Sequence, residues 1–201
     1  MNRMSIGALL VVALTAAGVR AQTAPAAQDL STPRAAIKSF YQALEDGNFE
    51  RAKKAAIADK PQLEYIQGFV DLCQAMTQLG EAADEKFGAD GAKLHFPLPV
   101  AQLAALADSA AIEEQGDTAT CAINPKVPMT LKRSDGVWRV DLVTSFAGNV
   151  DKLQVQSTFQ SQFAAAIKEV VGEIKAGKLA SVVEARTALQ AKLKTIKKPG
   201  Q

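Results

Sequence analysis

Tyr41, Tyr65, Asp71, Cys73, His95 and Cys121 are among the side chains of this 201-residue chain whose types could do chemistry beyond packing. Acid–base catalysis needs a titratable group within hydrogen-bond reach of a substrate, and a metal site needs several ligands at close spacing. His95, the only histidine, stands before Phe96 and Pro97 in a loop without such companions. It is expected to be incidental, and no metal and no cofactor are expected. Tyr41 and Tyr65 fall on helical stretches, where a tyrosine packs against a core or lines the rim of a cavity. Cys73 and Cys121 fall on expected core faces. Two outcomes stay open for them: a disulfide closing the 47 residues between them, worth about 3 to 5 kcal/mol by chain entropy, or two small buried hydrophobes.

Other constellations are missing from the sequence. It holds no glycine-rich phosphate loop, no Ser-His-Asp set and no interleaving of aromatic and basic residues. No catalytic residue is therefore assigned.

Charge narrows the class further. Residues 1–21 read as a secretory signal peptide, with Arg3, an uncharged run from Met4 to Val19 and a small-residue site ending at Ala21. The run is shorter than the roughly 20 residues of a spanning helix. Cleavage would remove Arg3 and Arg20 and leave 21 basic against 21 acidic residues. The expectation is an exported protein, periplasmic or extracellular, with no transmembrane span and no affinity for nucleic acid, which requires neutralising several phosphates. Charge is uneven along the chain: residues 178–201 carry six basic side chains against Glu184 alone. Lys192, Lys194, Lys197 and Lys198 are candidates for contact with an anionic polymer or lipid surface, the alternative being a solvated helix face.

The elements that must position these groups follow from periodicity. Residues 22–30 are small and polar and read as a flexible lead-in. Ala36, Ile37, Phe40, Ala43 and Leu44 share one helical face, with Thr32 placed to cap the helix and Pro33 suited to its first turn. Gly47 and Asn48 end that helix and start a second, carrying Phe49, Ala52, Ala56 and Ile57. A third, from about Pro61 to Gly80, has Leu63, Ile66, Val70, Cys73 and Thr77 on one side. An acidic, glycine-punctuated segment follows, then a short helix at 100–107. From 110 the period changes to two. AAIEEQGDTATCAI and TLKRSDGVWRVDL each alternate about a glycine turn, so that Ala119, Cys121, Ile123, Met129, Leu131, Trp138, Val140 and Leu142 share a face. Helical spacing returns after Gly148: Leu153 to Ile174 stripe one long helix, and Leu179, Val182, Val183, Leu189, Leu193 and Ile196 another.

The stretches TPRAAIKSFYQALEDGNFERA at 32–52, AAIEEQGDTATCAI at 110–123 and TLKRSDGVWRVDL at 130–142 resemble the nuclear-transport-factor-2-like superfamily, in particular small secreted members of unassigned function. The resemblance covers about 31–146. It implies an α+β fold in which N-terminal helices pack on a curved antiparallel sheet to form a cone, here with an added C-terminal helical hairpin. The expected organisation is signal peptide 1–21, lead-in 22–30, helix-and-sheet domain 31–146, hairpin 147–197 packed on the same domain, and tail 198–201. In that superfamily the cone serves as ligand pocket, enzyme site, dimer surface or plain core, so a homodimer stays open. The pocket-lining candidates are Tyr41, Tyr65, Met129, Leu131, Trp138 and Val140. The leading expectation is a non-enzymatic exported domain binding a small apolar ligand or a protein partner. One alternative is a cone enzyme of the isomerase, dehydratase or hydrolase kind using Tyr41, Tyr65 or Asp71. The other is an envelope-associated protein using its basic end.

Overall fold

The computed structural model describes residues 28–97, 99–123 and 128–196. The expected signal peptide at 1–21, residues 22–27 of the lead-in, Lys197, Lys198 and the tail at 198–201 lie outside the described residues.

Helix α1 (Pro33–Glu45) starts where the Thr32 hydroxyl accepts from the Ala35 amide. Its stripe of Ala36, Ile37, Phe40 and Leu44 is buried. After the turn at Gly47, Asn48 accepts from the Arg51 amide and opens α2 (Phe49–Lys54). Helix α3 (Lys60–Phe87) has 28 residues, a rod of about 42 Å. It runs two turns beyond the expected end at Gly80. Ala82 and Ala83 continue the buried side while Glu81, Asp84 and Glu85 face outward, so helical periodicity persists through the acidic segment. Gly80 lies inside the helix with the His95 ring resting on it: a β-carbon there would stand 3.1 Å from the ring. A 3-10 turn (Gly88–Leu94) leads towards α4 (Pro99–Ser109). Arg34 of α1 donates to the carbonyls of Ala107, Asp108 and Ala110, and Lys38 pairs with Asp108 at 2.7 Å. Those contacts hold the C-terminal end of α4 against α1.

Strands β1 (Ile112–Gln115), β2 (Thr118–Cys121), β3 (Met129–Ser134) and β4 (Val137–Asp141) pair in sequence order as an antiparallel meander. The second hairpin turns on Asp135 and Gly136, at φ 54° and 76°, the twist-matching geometry of two-residue hairpins that glycine adopts without strain. Ala119, Cys121, Leu131, Trp138 and Val140 are buried on one face, as the alternation requires. The fold is therefore α+β, with N-terminal helices packed on an antiparallel sheet.

The far edge of β4 is covered by the chain itself. The Trp138 amide donates to Leu30 O, Val140 N to Ala55 O, and Ile57 N to Val140 O, each at 2.9 Å. Residues 28–30, read from composition as the end of a flexible lead-in, are thus held to the sheet. For the same reason α2 stops at Lys54, and Ala56 and Ile57, expected on its stripe, lie along β4 instead. Strand β4 itself ends at Asp141, short of the expected Leu142, because the Asp141 carboxylate accepts from the Thr144 amide and starts α5 (Leu142–Ser145).

Helices α6 (Val150–Lys175) and α7 (Val182–Lys194) form a hairpin, with α6 laid along α3. Their backbones come close at Gly68, where a β-carbon would stand 3.1 Å from Ser157 O, and Ser157 Oγ donates to Glu64 O at 2.8 Å. On α7 the buried positions are Val182, Ala185 and Leu189; Val183, expected on the stripe, is 73 % exposed. One residue is about 100° of helix, which turns Val183 away from the side on which Val182, Ala185 and Leu189 pack. Two cores are strung along α3. Ile66, Val70 and Cys73 belong to the one beneath the sheet, and Leu79 and Ala83 to one shared with Leu94, Ile167, Ile174 and Leu189. No helix among the described residues is long and apolar enough to cross a membrane.

Candidate functional site

A cavity of ≈ 270 Å³ opens between the helices and one end of the sheet. Helix α1 supplies Phe40, Tyr41 and Leu44, whose side chains follow one another at one and four positions along its inner face. Tyr65 and Phe69 enter from α3, Leu103 from α4, and Ile123, Pro128 and Met129 from the ends of β2 and β3. Leu142, Ser145 and Phe146 close it, carried there because β4 stops at Asp141 and the chain winds into α5. Gln62, 1 % exposed, fixes that junction: its Oε1 accepts from the Leu142 amide at 2.8 Å and its Nε2 donates to Asp59.

Aromatic rings form much of the wall. Tyr65 meets Phe146 edge-on at 5.6 Å and Phe69 at 6.3 Å, while Phe40 and Tyr41 lie 5.7 Å apart. Among the described lining residues none is charged. The Ser145 hydroxyl is committed within the protein, donating to Asp141 O at 2.7 Å and accepting from the Thr130 amide at 2.9 Å. The hydroxyls of Tyr41 and Tyr65 remain the polar groups of the lining. Burial pushes the Tyr41 hydroxyl well above the ordinary tyrosine range, and the nearby Tyr65 and Cys121 add to that. Burial also raises Tyr65, offset in part by the side-chain amide of Gln160. Both phenols are neutral at physiological pH and act as hydrogen-bond donors, not as bases.

Asp141, which precedes the lining residue Leu142, is not itself among the lining residues. Burial would raise Asp141, but hydrogen bonds from Lys132, at 2.7 Å, and from Thr144 outweigh burial and hold its carboxyl below the usual carboxylate value. Its carboxylate is used in capping α5.

The sequence-derived candidates divide. Tyr41, Tyr65 and Met129 line the cavity. Leu131, Trp138 and Val140 are not among its lining residues; they are 0 %, 2 % and 0 % exposed and form the packed core beneath. Arg133 stacks over the Trp138 ring at 5.2 Å. Cys73 and Cys121 are free thiols buried in the same core. Burial, with Glu45 nearby, pushes the Cys73 thiol up to about 12; burial likewise raises Cys121, against an opposing effect of Arg34. Asp71 lies outside the cavity and accepts from Gln67. His95 sits at the surface with its Nε2 3.0 Å from the Asp84 carboxylate, and no cluster able to hold a metal ion occurs among the described residues. Lys192 is engaged by Glu169 at 2.8 Å and Glu173 at 3.2 Å, whose hydrogen bonds raise its pKa. Lys194 is exposed near the end of α7.

Sequence reasoning missed most of the aromatic wall. Phe69 and Tyr65 are four apart, one position off the Ile66–Val70 core stripe; an aromatic pair flanking a stripe was the available signal. Phe146 carried none, because it lay where a strand was expected to have ended. No family model, no curated protein and no solved structure matches the chain.

Proposed function

We propose that this chain is an exported, non-enzymatic domain that takes a small apolar ligand into the cavity between α1, α3, α4 and the sheet. The observation that carries the reading is that cavity: ≈ 270 Å³, ringed by aromatic side chains and free of charged groups among its described lining. Pockets of this kind, apolar with few polar groups, are the usual ligand sites of small domains. The resemblance to the nuclear-transport-factor-2-like superfamily supports the same reading, because the cone of that fold is a recurrent ligand pocket. Export rests on the leader-like composition of residues 1–21.

A cone enzyme has less support. The lining offers two neutral phenols and no carboxylate or imidazole among the described residues, and Asp71 lies outside it. The basic-contact reading is weakened at Lys192, whose charge is shared with Glu169 and Glu173.

Native mass spectrometry on protein purified from its own exported compartment tests the proposal. A stoichiometric small molecule released on denaturation is the expected result. Protein that is empty when purified, and whose thermal midpoint no small aromatic compound raises, would overturn it.

A further inference from the structure

We propose that the cavity selects a neutral, flat molecule of one to two rings that carries a single hydrogen-bond acceptor, of the aryl ketone, aldehyde or lactone kind. The inference rests on the cavity being a ligand site and adds what that ligand must be.

Size comes first. A dry cavity of about 150 Å³ takes one benzene ring, and drug-sized ligands occupy about 300 Å³ or more. At ≈ 270 Å³ this space lies between them. Shape follows from the walls, where Tyr65, Phe69 and Phe146 present rings to one another at 5.6 and 6.3 Å. Rings of that kind receive another ring by stacking or edge contact.

Charge and polarity decide the rest. An anion or cation entering would lose its hydration and find no counter-charge among the described lining residues. Ser145 has its hydroxyl spent on Asp141 and Thr130. The remaining donors are the Tyr41 and Tyr65 hydroxyls, and among the described residues that of Tyr41 has no hydrogen-bond partner. Gln160, 3 % exposed, approaches Tyr65 from α6 with its Oε1 without a partner among the described residues. A buried phenol that points at a hydrocarbon leaves its proton unpaired, whereas a carbonyl accepts it.

Three probes of nearly equal shape separate these claims: 2-acetylnaphthalene, 2-isopropenylnaphthalene and 2-naphthoate, each measured by equilibrium dialysis against the purified protein. The acetyl compound is expected to bind about tenfold more tightly than the isopropenyl hydrocarbon, and the naphthoate at least tenfold more weakly than either. In the Tyr41→Phe, Tyr65→Phe double variant the acetyl advantage should vanish while hydrocarbon binding persists. Equal binding of acetyl and isopropenyl compounds to the unaltered protein would overturn the acceptor claim and leave the cavity as a ligand site. Naphthoate binding as tightly as the ketone would overturn the neutral-ligand claim. Failure of all three probes would remove the ligand reading itself. Should the double variant not fold, the probe comparison on the unaltered protein decides alone.

Discussion

The two ends of α3 are built to different rules. At the sheet end, Phe40, Leu44, Cys121, Trp138 and Leu142 belong to a core that opens on one side into a cavity of ≈ 270 Å³. At the helical end, Leu79, Leu94, Ile167, Ile174 and Leu189 are closed in by α6, α7 and the 3-10 turn. Gly91 lies so near Ala83 that a β-carbon would stand 2.6 Å from its backbone. Atoms so placed cannot yield except by moving a helix. The lesson is that the C-terminal hairpin, the part that departs from the resemblance noted above, gives α3 a second point of support. A helix anchored at both of its ends can leave one flank open to a cavity without losing its position.

Several measurements would sharpen or break that contrast. The largest effect is expected at Trp138, 2 % exposed at the centre of the inner sheet face. Trp138→Ala should cost about 3–5 kcal/mol, read as a lowered denaturant midpoint; an unchanged midpoint would mean the sheet end does not depend on its core. A paired comparison comes next. Gly91→Ala at the closed end should destabilise by about 1–3 kcal/mol through overpacking. Phe69→Trp at the cavity should be neutral or stabilising by about 0.5–1 kcal/mol, because the added ring atoms have space. Equal losses in both variants would erase the difference between the ends.

The buried thiols provide a test by pH. The raised Cys73 and Cys121 thiols stay protonated in the folded chain where unfolded ones ionise. Above about pH 8.5 the unfolded state therefore binds fewer protons, and stability falls as pH rises. The fall should amount to at most about 1.4 kcal/mol per pH unit for each thiol, continuing for Cys73 until about pH 12. Below pH 8.5 the contribution is complete. Urea midpoints across pH 7–10 should decline in the unaltered protein and decline less in Cys73→Ala. Denatured, unreduced protein should release two reactive thiols. The smallest effect belongs to Lys192→Ala, whose contacts with Glu169 and Glu173 sit at the surface of the hairpin. A small loss, shrinking with added salt, is expected; a loss comparable to that of Trp138→Ala would make the hairpin's outer surface as demanding as its core.

Periodicity along the chain determined much of this protein. Thr32 with Pro33, Asn48, and Asp135 with Gly136 mark element boundaries through hydrogen bonds and backbone angles that span a few residues. The inner sheet face could be read for the same reason, since alternation of Leu131, Trp138 and Val140 with charged neighbours is a local property. Local rules failed where a distant group decided. The helix runs through Gly80, against which the ring of His95 packs, α2 ends because Ala55 and Ile57 bond to β4, and β4 ends because Asp141 turns to cap α5. Lys192 was legible as a basic residue, but its acidic partners, 19 and 23 positions earlier, were not.

The candidate site belongs to that second kind. Tyr41, Tyr65 and Met129 were legible as residues near a core, yet whether they met a cavity or packed solid depended on Leu103, Ser145 and Phe146 arriving from other elements. A helical or strand period states which side of an element faces inward. It does not state how far apart two inward sides will stand. That spacing is set by contacts remote in sequence, such as Arg34 holding α4 and Gly68 admitting α6, and only the tertiary structure contains them.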